Sequence, residues 1–129
     1  MDEQQIRQLL EHDYAAAIGS GDLDRYVSLY DDDVIWSIPN APDAKDRDGI
    51  RRVMGGVLQK VSQEVDITID DLSVIGEHAV VMAVARGTAT PHGTDEVRSF
   101  ALRVMWALRR GTDGWRINRQ VGTPKPDTS

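Results

Sequence analysis

The sequence contains no cysteine. That absence removes disulfides, thiolate nucleophiles, Cys-ligated zinc and iron–sulfur clusters in one step. No apolar run approaches the ~20 residues a membrane helix needs. The opening MDEQQIRQ is acidic and polar, unlike a secretory leader. No membrane partner is therefore expected, and the reducing cytoplasm is the default location. Positive charge is sparse: 15 Lys and Arg stand against 21 Asp and Glu, a net charge of −6. The only basic doublets are Arg51-Arg52 and Arg109-Arg110, so the clustered basic face that phosphate contacts require is missing and no nucleic-acid partner is expected. His12, His78 and His92 show no ligand spacing, so no metal site is expected and no metal cofactor follows. Nucleophile elbows, phosphate-cradling glycine loops and dinucleotide fingerprints are absent as well.

A chain of 129 residues is one domain's worth. Arginine far outnumbers lysine, a bias that suits a GC-rich bacterial genome. The spacing of Ile6, Leu9, Leu10, Asp13, Tyr14, Ala17 and Ile18 predicts a helix over 3–18, ended by Gly19 and Gly21. Asp22 fits the N-cap of a second helix that buries Leu23, Tyr26, Val27 and Tyr30. Asp31-Asp32-Asp33 reads as the solvated turn that stops it. Val34–Ile38 reads as a strand, residues 39–48 as a polar loop, and 48–63 as a third helix. The helix carries Gly55-Gly56 mid-way, which implies close packing there. The remainder is β: about 65–75, 79–88, 97–109 and 115–121, an α+β layout. A single domain over residues 1–122 is expected, with a disordered tail from Thr123 to Ser129.

Two patterns bear on function. Ala79–Ala85 and Phe100–Leu108 are apolar on both faces, so both faces need covering. Helices can cover one; a second copy of the chain is the simplest cover for the other, giving a homodimer through the outer sheet face. The seven aromatics (3 Trp, 3 Tyr, 1 Phe) are few enough that their placement matters. By parity Trp36 and Ile38 share a face, as do Phe100, Leu102, Val104 and Trp106, while Tyr14 and Tyr30 lie on helix faces directed at the sheet. Their convergence fits either a solid core or an apolar pocket with phenol and indole handles for a flat ligand. Asn118 and Gln120, two apart on the last strand, could orient a carbonyl or form a polar sheet edge. His92 fits a solvated turn or the mouth of a pocket.

The stretch Gly21-Asp22-Leu23-Asp24-x-x-Val27-Ser28-Leu29-Tyr30-Asp31-Asp32-Asp33-Val34-Ile35-Trp36 resembles nuclear transport factor 2-like domains. Asp48-Gly49-Ile50-Arg51 and Gly114-Trp115-Arg116-Ile117 resemble them too. The nearest branches are the SnoaL-like polyketide cyclases, the SgcJ/EcaC-type proteins of bacterial natural-product biosynthesis, and the ketosteroid isomerases. The resemblance implies a cone-shaped curved antiparallel sheet wrapped around three N-terminal helices, a cystatin-like α+β barrel. It also implies a deep apolar cavity, often with dimers through the outer sheet. Mapped residue by residue, Tyr14 takes the place of an isomerase's oxyanion donor and Tyr30 that of the tyrosine behind it. The place of the catalytic base holds Ile38, that of the protonated-carboxylate donor Val104 or Trp106, and that of a third tyrosine Met54. The resemblance therefore implies cofactor-free chemistry, a cyclisation, isomerisation or dehydration, that rests on Tyr14 and Tyr30. Trp36, Ile38, Met54, Leu102, Val104, Trp106, Asn118 and Gln120 would bind an apolar, carbonyl-bearing aromatic or polycyclic substrate. A non-catalytic carrier and a dimeric association module are the alternatives.

Overall fold

The computed structural model describes residues 1–125. A continuous helical rod opens the chain: α1 (Asp2–Arg7), a π-helical stretch (Gln8–Tyr14) and α2 (Ala15–Ser20). Ile6, Leu10, Tyr14 and Ile18, spaced by four, are all buried. In a pure α-helix a row spaced by four drifts steadily around the axis. The wider i→i+5 turn takes a smaller angular step per residue and brings the row back to one face. The rod runs through Gly19 and ends at Ser20, where Gly21 adopts φ 69° and the Asp22 N–H reaches back to the Ala17 carbonyl at 3.0 Å. Asp22 then caps α3 (Leu23–Ser28), its carboxylate accepting from the Arg25 N–H at 3.1 Å.

The remaining elements are β1 (Tyr30–Ser37), β2 (Ala44–Lys45), α4 (Asp46–Lys60), β3 (Val61–Ile75), β4 (His78–Pro91), β5 (Arg98–Gly111) and β6 (Gly114–Pro124). They form one open sheet in the order β2-β1-β6-β5-β4-β3. The four long strands make the expected antiparallel meander. β1 joins it parallel to β6, so the sheet as a whole is mixed rather than antiparallel throughout. The result is an α+β cone, the sheet curving around the helices. No helix among the described residues is long and apolar enough to cross a membrane.

The structure departs from the sequence reading at several points: α4 begins at Asp46 and ends at Lys60, so 61–63 open β3, and Ala44-Lys45 within the expected loop form β2. Asp31-Asp32-Asp33 is not a turn: α3 stops at Ser28, and Tyr30 already pairs with Ile117, which pulls the triplet into β1. Its charges are paired, Asp31 and Asp33 with Arg109 of β5 at 2.7 and 2.9 Å and Asp32 with Arg47 of α4 at 3.1 Å. The domain does not end at Gly122, because Thr123 and Pro124 pair with Arg103 and Leu102 and the Lys125 N–H bonds the Ala101 carbonyl. The rest of the expected tail, residues 126–129, lies outside the described residues. Only one member of Gly55-Gly56 is tightly packed: a Cβ on Gly55 would meet Leu23 at 3.3 Å, whereas one on Gly56 would meet nothing.

The inward rows of the sheet taper along the cone. On β6 they read Trp115, Ile117, Gln120, Gly122, and on β4 Val81, Ala83, Ala85, Gly87. At the bulky end the rod is clasped to the β5–β6 hairpin. Arg110 Nη1 donates to both Asp2 carboxylate oxygens at 2.9 and 3.0 Å, Trp115 Nε1 donates to Asp2 at 3.2 Å, and the Arg110 guanidinium lies over the Trp115 ring. The outer face carries exposed Val80 (39%), Met82 (53%), Met105 (44%) and Val121 (38%) on three adjacent strands.

Candidate functional site

At the small-residue end the taper leaves a cavity of about 260 Å³ between sheet and helices. Tyr14 and Ile18 from the rod and Val53, Met54 and Val57 from α4 form one wall. Trp36 and Ile38, with Pro39 beyond the end of β1, form a second. The sheet supplies Gln63 and Val65, Ala85, the row Phe100-Leu102-Val104, and Gln120 with Gly122. Space exists because Ala85, Gly87 and Gly122 stand where the other end carries Val81 and Ile117. Gly87 is required sterically: a Cβ there would overlap the Glu64 carbonyl oxygen and lie 2.9 Å from Phe100 Cζ. The Phe100 ring thus lies against bare backbone.

The inner end of the cavity is an aromatic cluster with a directed hydrogen-bond chain. Tyr14 packs at 5.5 Å from both Tyr26 and Trp106, and Tyr26 at 5.1 Å from Tyr30. Trp106 Nε1 lies 2.7 Å from one terminal atom of Gln120 and the Tyr30 hydroxyl 2.8 Å from the same atom. Indole N–H can only donate, so that atom is the amide oxygen Oε1, and the amide orientation is fixed. Tyr30 must also donate to it. Its single proton is then used, so in the 2.6 Å contact between the Tyr26 and Tyr30 hydroxyls Tyr26 is the donor. The Tyr14 hydroxyl joins this cluster: hydrogen bonding with Tyr26, Tyr30 and Gln120 lowers its pKa against the larger, opposite effect of burial. Tyr14 also lines the cavity.

Burial raises all three phenol pKa values. Desolvation is the largest cause for Tyr14; for Tyr26 and Tyr30, raised well above the ordinary tyrosine range, the neighbouring phenols add to it. Each phenol is therefore neutral near pH 7 and acts as a donor. Tyr14 is the one ionisable side chain among the described residues lining the cavity. The site can polarise a ligand oxygen by hydrogen bonding, but no carboxylate or imidazole of its wall abstracts a proton.

Seven of the ten residues singled out in the sequence line the cavity: Tyr14, Trp36, Ile38, Met54, Leu102, Val104 and Gln120. Tyr30 and Trp106, fully buried, sit behind the wall, holding Gln120 by hydrogen bonds, and Trp106 packs edge-on against Tyr14. Trp106 therefore does not offer a face for a ligand to stack on. Asn118 lies elsewhere. Leu108 pairs with Ile117 and Ala107 with Arg119, so Asn118 is the extra residue of a β-bulge. The bulge breaks its parity with Gln120 and sends its amide to Asp33 at 2.8 Å and Asp31 at 3.3 Å. His92 is not at the cavity: its ring bonds the Leu58 carbonyl at 2.9 Å, at the C-terminal end of α4.

The family model described as "SnoaL-like domain" matches residues 12–120. The chain is a SnoaL-like domain. No curated protein matches it by sequence. Solved structures share its fold. A ketosteroid isomerase-like protein from Erwinia carotovora atroseptica is 23% identical, with TM-score 0.80, over 97% of this chain and 95% of that one. A nuclear transport factor 2-like protein with a cystatin-like fold from Novosphingobium aromaticivorans is 21% identical, with TM-score 0.76, over 99% and 84%. A hexachlorocyclohexane dehydrochlorinase from Novosphingobium barchaimii is 13% identical, with TM-score 0.77, over 96% and 86%. At such identities these likenesses establish the fold, the nuclear transport factor 2-like cone.

In this SnoaL-like domain the residue that sequence reasoning passed over is Tyr26, assigned to the core but not to the polar chain. Its signal was available: Tyr26 and Tyr30 are four apart, so the helical turn and the strand start that follows can bring both hydroxyls together. Gln63, a further polar group at the cavity, falls in the third helix in the sequence reading, whereas it stands in β3.

Proposed function

We propose that this SnoaL-like domain binds a small, mostly apolar molecule bearing a carbonyl group, and that Tyr14 polarises that carbonyl during a cofactor-free isomerisation, dehydration or cyclisation. The observation that carries the reading is Tyr14, a phenol kept neutral by burial and the one ionisable side chain among the described residues lining a mostly apolar cavity. A hydrogen bond from it to a ligand oxygen contributes about 0.5–1.5 kcal/mol. About 260 Å³ lies just under the ~300–1,000 Å³ of pockets for drug-sized ligands. A frame of one or two rings fills about this much space, and the cavity is open to solvent at its mouth. Structural neighbours named as isomerase-like and dehydrochlorinase agree with such chemistry on this fold. Natural-product metabolism of the polyketide type, in a bacterial cytoplasm, is the setting suggested by the family and by the arginine-rich composition.

A carrier is the second reading, favoured by the lack of any acid or base on the cavity wall besides the neutral Tyr14 phenol. A thermal-shift screen of one- and two-ring aromatic ketones, with each hit recovered for mass spectrometry, separates the two. An altered compound means an enzyme, and an unaltered one a carrier. Tyr14→Phe retaining full turnover on an altered compound would remove the proposed role of the phenol.

The outer sheet face supports a homodimer, with Val80, Met82, Met105 and Val121 as the covered patch. Sedimentation velocity should give a dimer for the wild type and a monomer for Met82→Lys. A wild-type monomer at high micromolar concentration would end that reading.

A further inference from the structure

Resting on the reading of the cavity as a small-molecule site, we infer that Gln120 is its specificity-determining residue and admits a hydrogen-bond acceptor in preference to a donor. Gln120 is a buried polar residue, and its amide cannot turn over. Oε1 already accepts from Trp106 Nε1 at 2.7 Å and from Tyr30 Oη at 2.8 Å. Flipping the amide would set the NH₂ group against two donors, one of which, the indole, cannot accept. Tyr26 donating to Tyr30 holds the Tyr30 proton toward Gln120 in turn. The Gln120 NH₂ therefore has one sense only, away from the chain.

The Gln120 side chain is in hydrogen-bonding contact with the Tyr14 hydroxyl, whose pKa it lowers. Gln120 lines the cavity beside Tyr14, so its amide and the phenol meet at the same wall. Two donors, one fixed as N–H and one a phenol, converge on the same small volume. A ligand oxygen placed there must accept from both, which a ketone or its enolate does with its two lone pairs. An alcohol, phenol or amine would bring a proton of its own that meets N–H at Gln120 and can be accepted only if the Tyr14 hydroxyl turns and gives up its own donation to the ligand. The selection arises from residues the ligand never touches: Trp106 and Tyr30 set the polarity of Gln120, and Gln120 sets that of the ligand.

The test uses tetralin, 1-tetralone and 1-tetralol, which share a two-ring frame and differ only in oxygen. Affinities are measured by isothermal titration calorimetry between pH 6 and 9. The wild type should bind tetralone at least about tenfold more tightly than tetralin or tetralol, as two ordinary hydrogen bonds provide, without pH dependence. Gln120→Leu should bring the tetralone-to-tetralin ratio down to about threefold, the part the Tyr14 phenol supplies alone, while tetralin still binds. Because that variant strands the Trp106 and Tyr30 donors, Gln120→Glu is the second probe. Its carboxyl keeps an acceptor for both and presents O–H when protonated and bare oxygen when ionised. Tetralone affinity should then fall as pH rises through the carboxyl titration, a dependence that a purely structural residue would not create. Binding of neither tetralin nor tetralone to the wild type would overturn the small-molecule cavity and this inference with it. A wild-type preference for tetralone that Gln120→Leu leaves unchanged, or a pH-independent Gln120→Glu, would overturn the role of Gln120 alone and leave the cavity standing, whereas equal wild-type affinity for all three would overturn the part of Tyr14 as well.

Discussion

The two ends of the cone share the same rod and the same four strands, yet one is solid and the other hollow. At the solid end Ile6, Leu10, Leu108, Trp115 and Ile117 belong to one buried cluster, and the Asp2–Arg110–Trp115 clasp pins the rod to the β5–β6 hairpin. At the hollow end the rod still presents large residues, Tyr14 and Ile18, but the strands answer with Ala85, Gly87 and Gly122. Backbone geometry alone does not make the cavity; side-chain volume on the sheet does. The division also separates roles. One end holds the cone together, so the other can stay open.

The largest effect that would test this division is a matched truncation on one strand. Leu108→Ala, in the solid end, should cost about 3 kcal/mol or more, the loss of a fully packed leucine plus the cavity it leaves. Leu102→Ala, six residues along β5 and already beside empty space, should cost about 1 kcal/mol or less, because little packing is lost where a cavity exists. Urea denaturation of both measures the contrast. Equal losses would mean the hollow end bears as much of the stability as the solid one.

Gly87→Ala probes the hollow end from the opposite direction. The new methyl would overlap the Glu64 carbonyl and press on Phe100, so β3 and β4 must part or the Phe100 ring must leave the cavity wall. Overpacking of this kind costs about 2–3 kcal/mol. Gly56→Ala, on α4 with nothing within 4 Å of the new atom, should instead stabilise by about 0.5–1 kcal/mol. Two glycines that look alike in the sequence should thus change stability with opposite signs.

The three phenols provide a probe of intermediate size, since the chain's only tyrosines are Tyr14, Tyr26 and Tyr30. Burial raises each folded pKa above 10, so the unfolded chain releases these protons first. Their contribution is complete below pH ~10 and is lost as pH rises from there toward the folded values. A spectrophotometric titration should show no phenolate signal near pH 10 and then a rise that coincides with loss of secondary structure. A phenolate appearing earlier, with the fold intact, would identify Tyr14 as open to water at the cavity.

Element type, the aromatic convergence and most of the cavity wall were legible because period and parity are local properties. The spacing of Ile6, Leu10, Tyr14 and Ile18 carries the rod, and alternation through Leu102 and Val104 carries the inward face of β5. Asn118 was misplaced because a β-bulge inserts one residue and inverts parity beyond it, and its cause is pairing with β5, which alternation within β6 does not encode. The aspartate triplet was misread for a related reason: its place in β1 depends on Tyr30 meeting Ile117 from the far end of the chain. Trp106 was given the right face and the wrong role, since parity says that a side chain points inward and not whether another stands in front of it. Volume was not legible either, because a row such as Gln120–Gly122 becomes a cavity only when Ala85 and Gly87 lie across from it.

The smallest effect concerns the clasp that closes the solid end. Asp2 is an acid whose pKa is lowered chiefly by its hydrogen bond from Arg110, with Trp115 helping and partial burial opposing. A depressed carboxylate stabilises the fold above its unfolded pKa near 3.8, and that contribution is lost as pH falls through the still lower folded value. The pair is partly exposed, so the effect is modest and weakens with salt. Asp2→Asn should leave the urea midpoint at pH 7 slightly lower and remove part of the wild-type decline below pH 4. Because the clasp acts at the end remote from the cavity, the same variant should bind ligands as the wild type does. If Asp2→Asn changed ligand affinity, the two ends would be coupled through the rod, and the π-helical stretch between Leu10 and Tyr14 would be the segment that transmits the change.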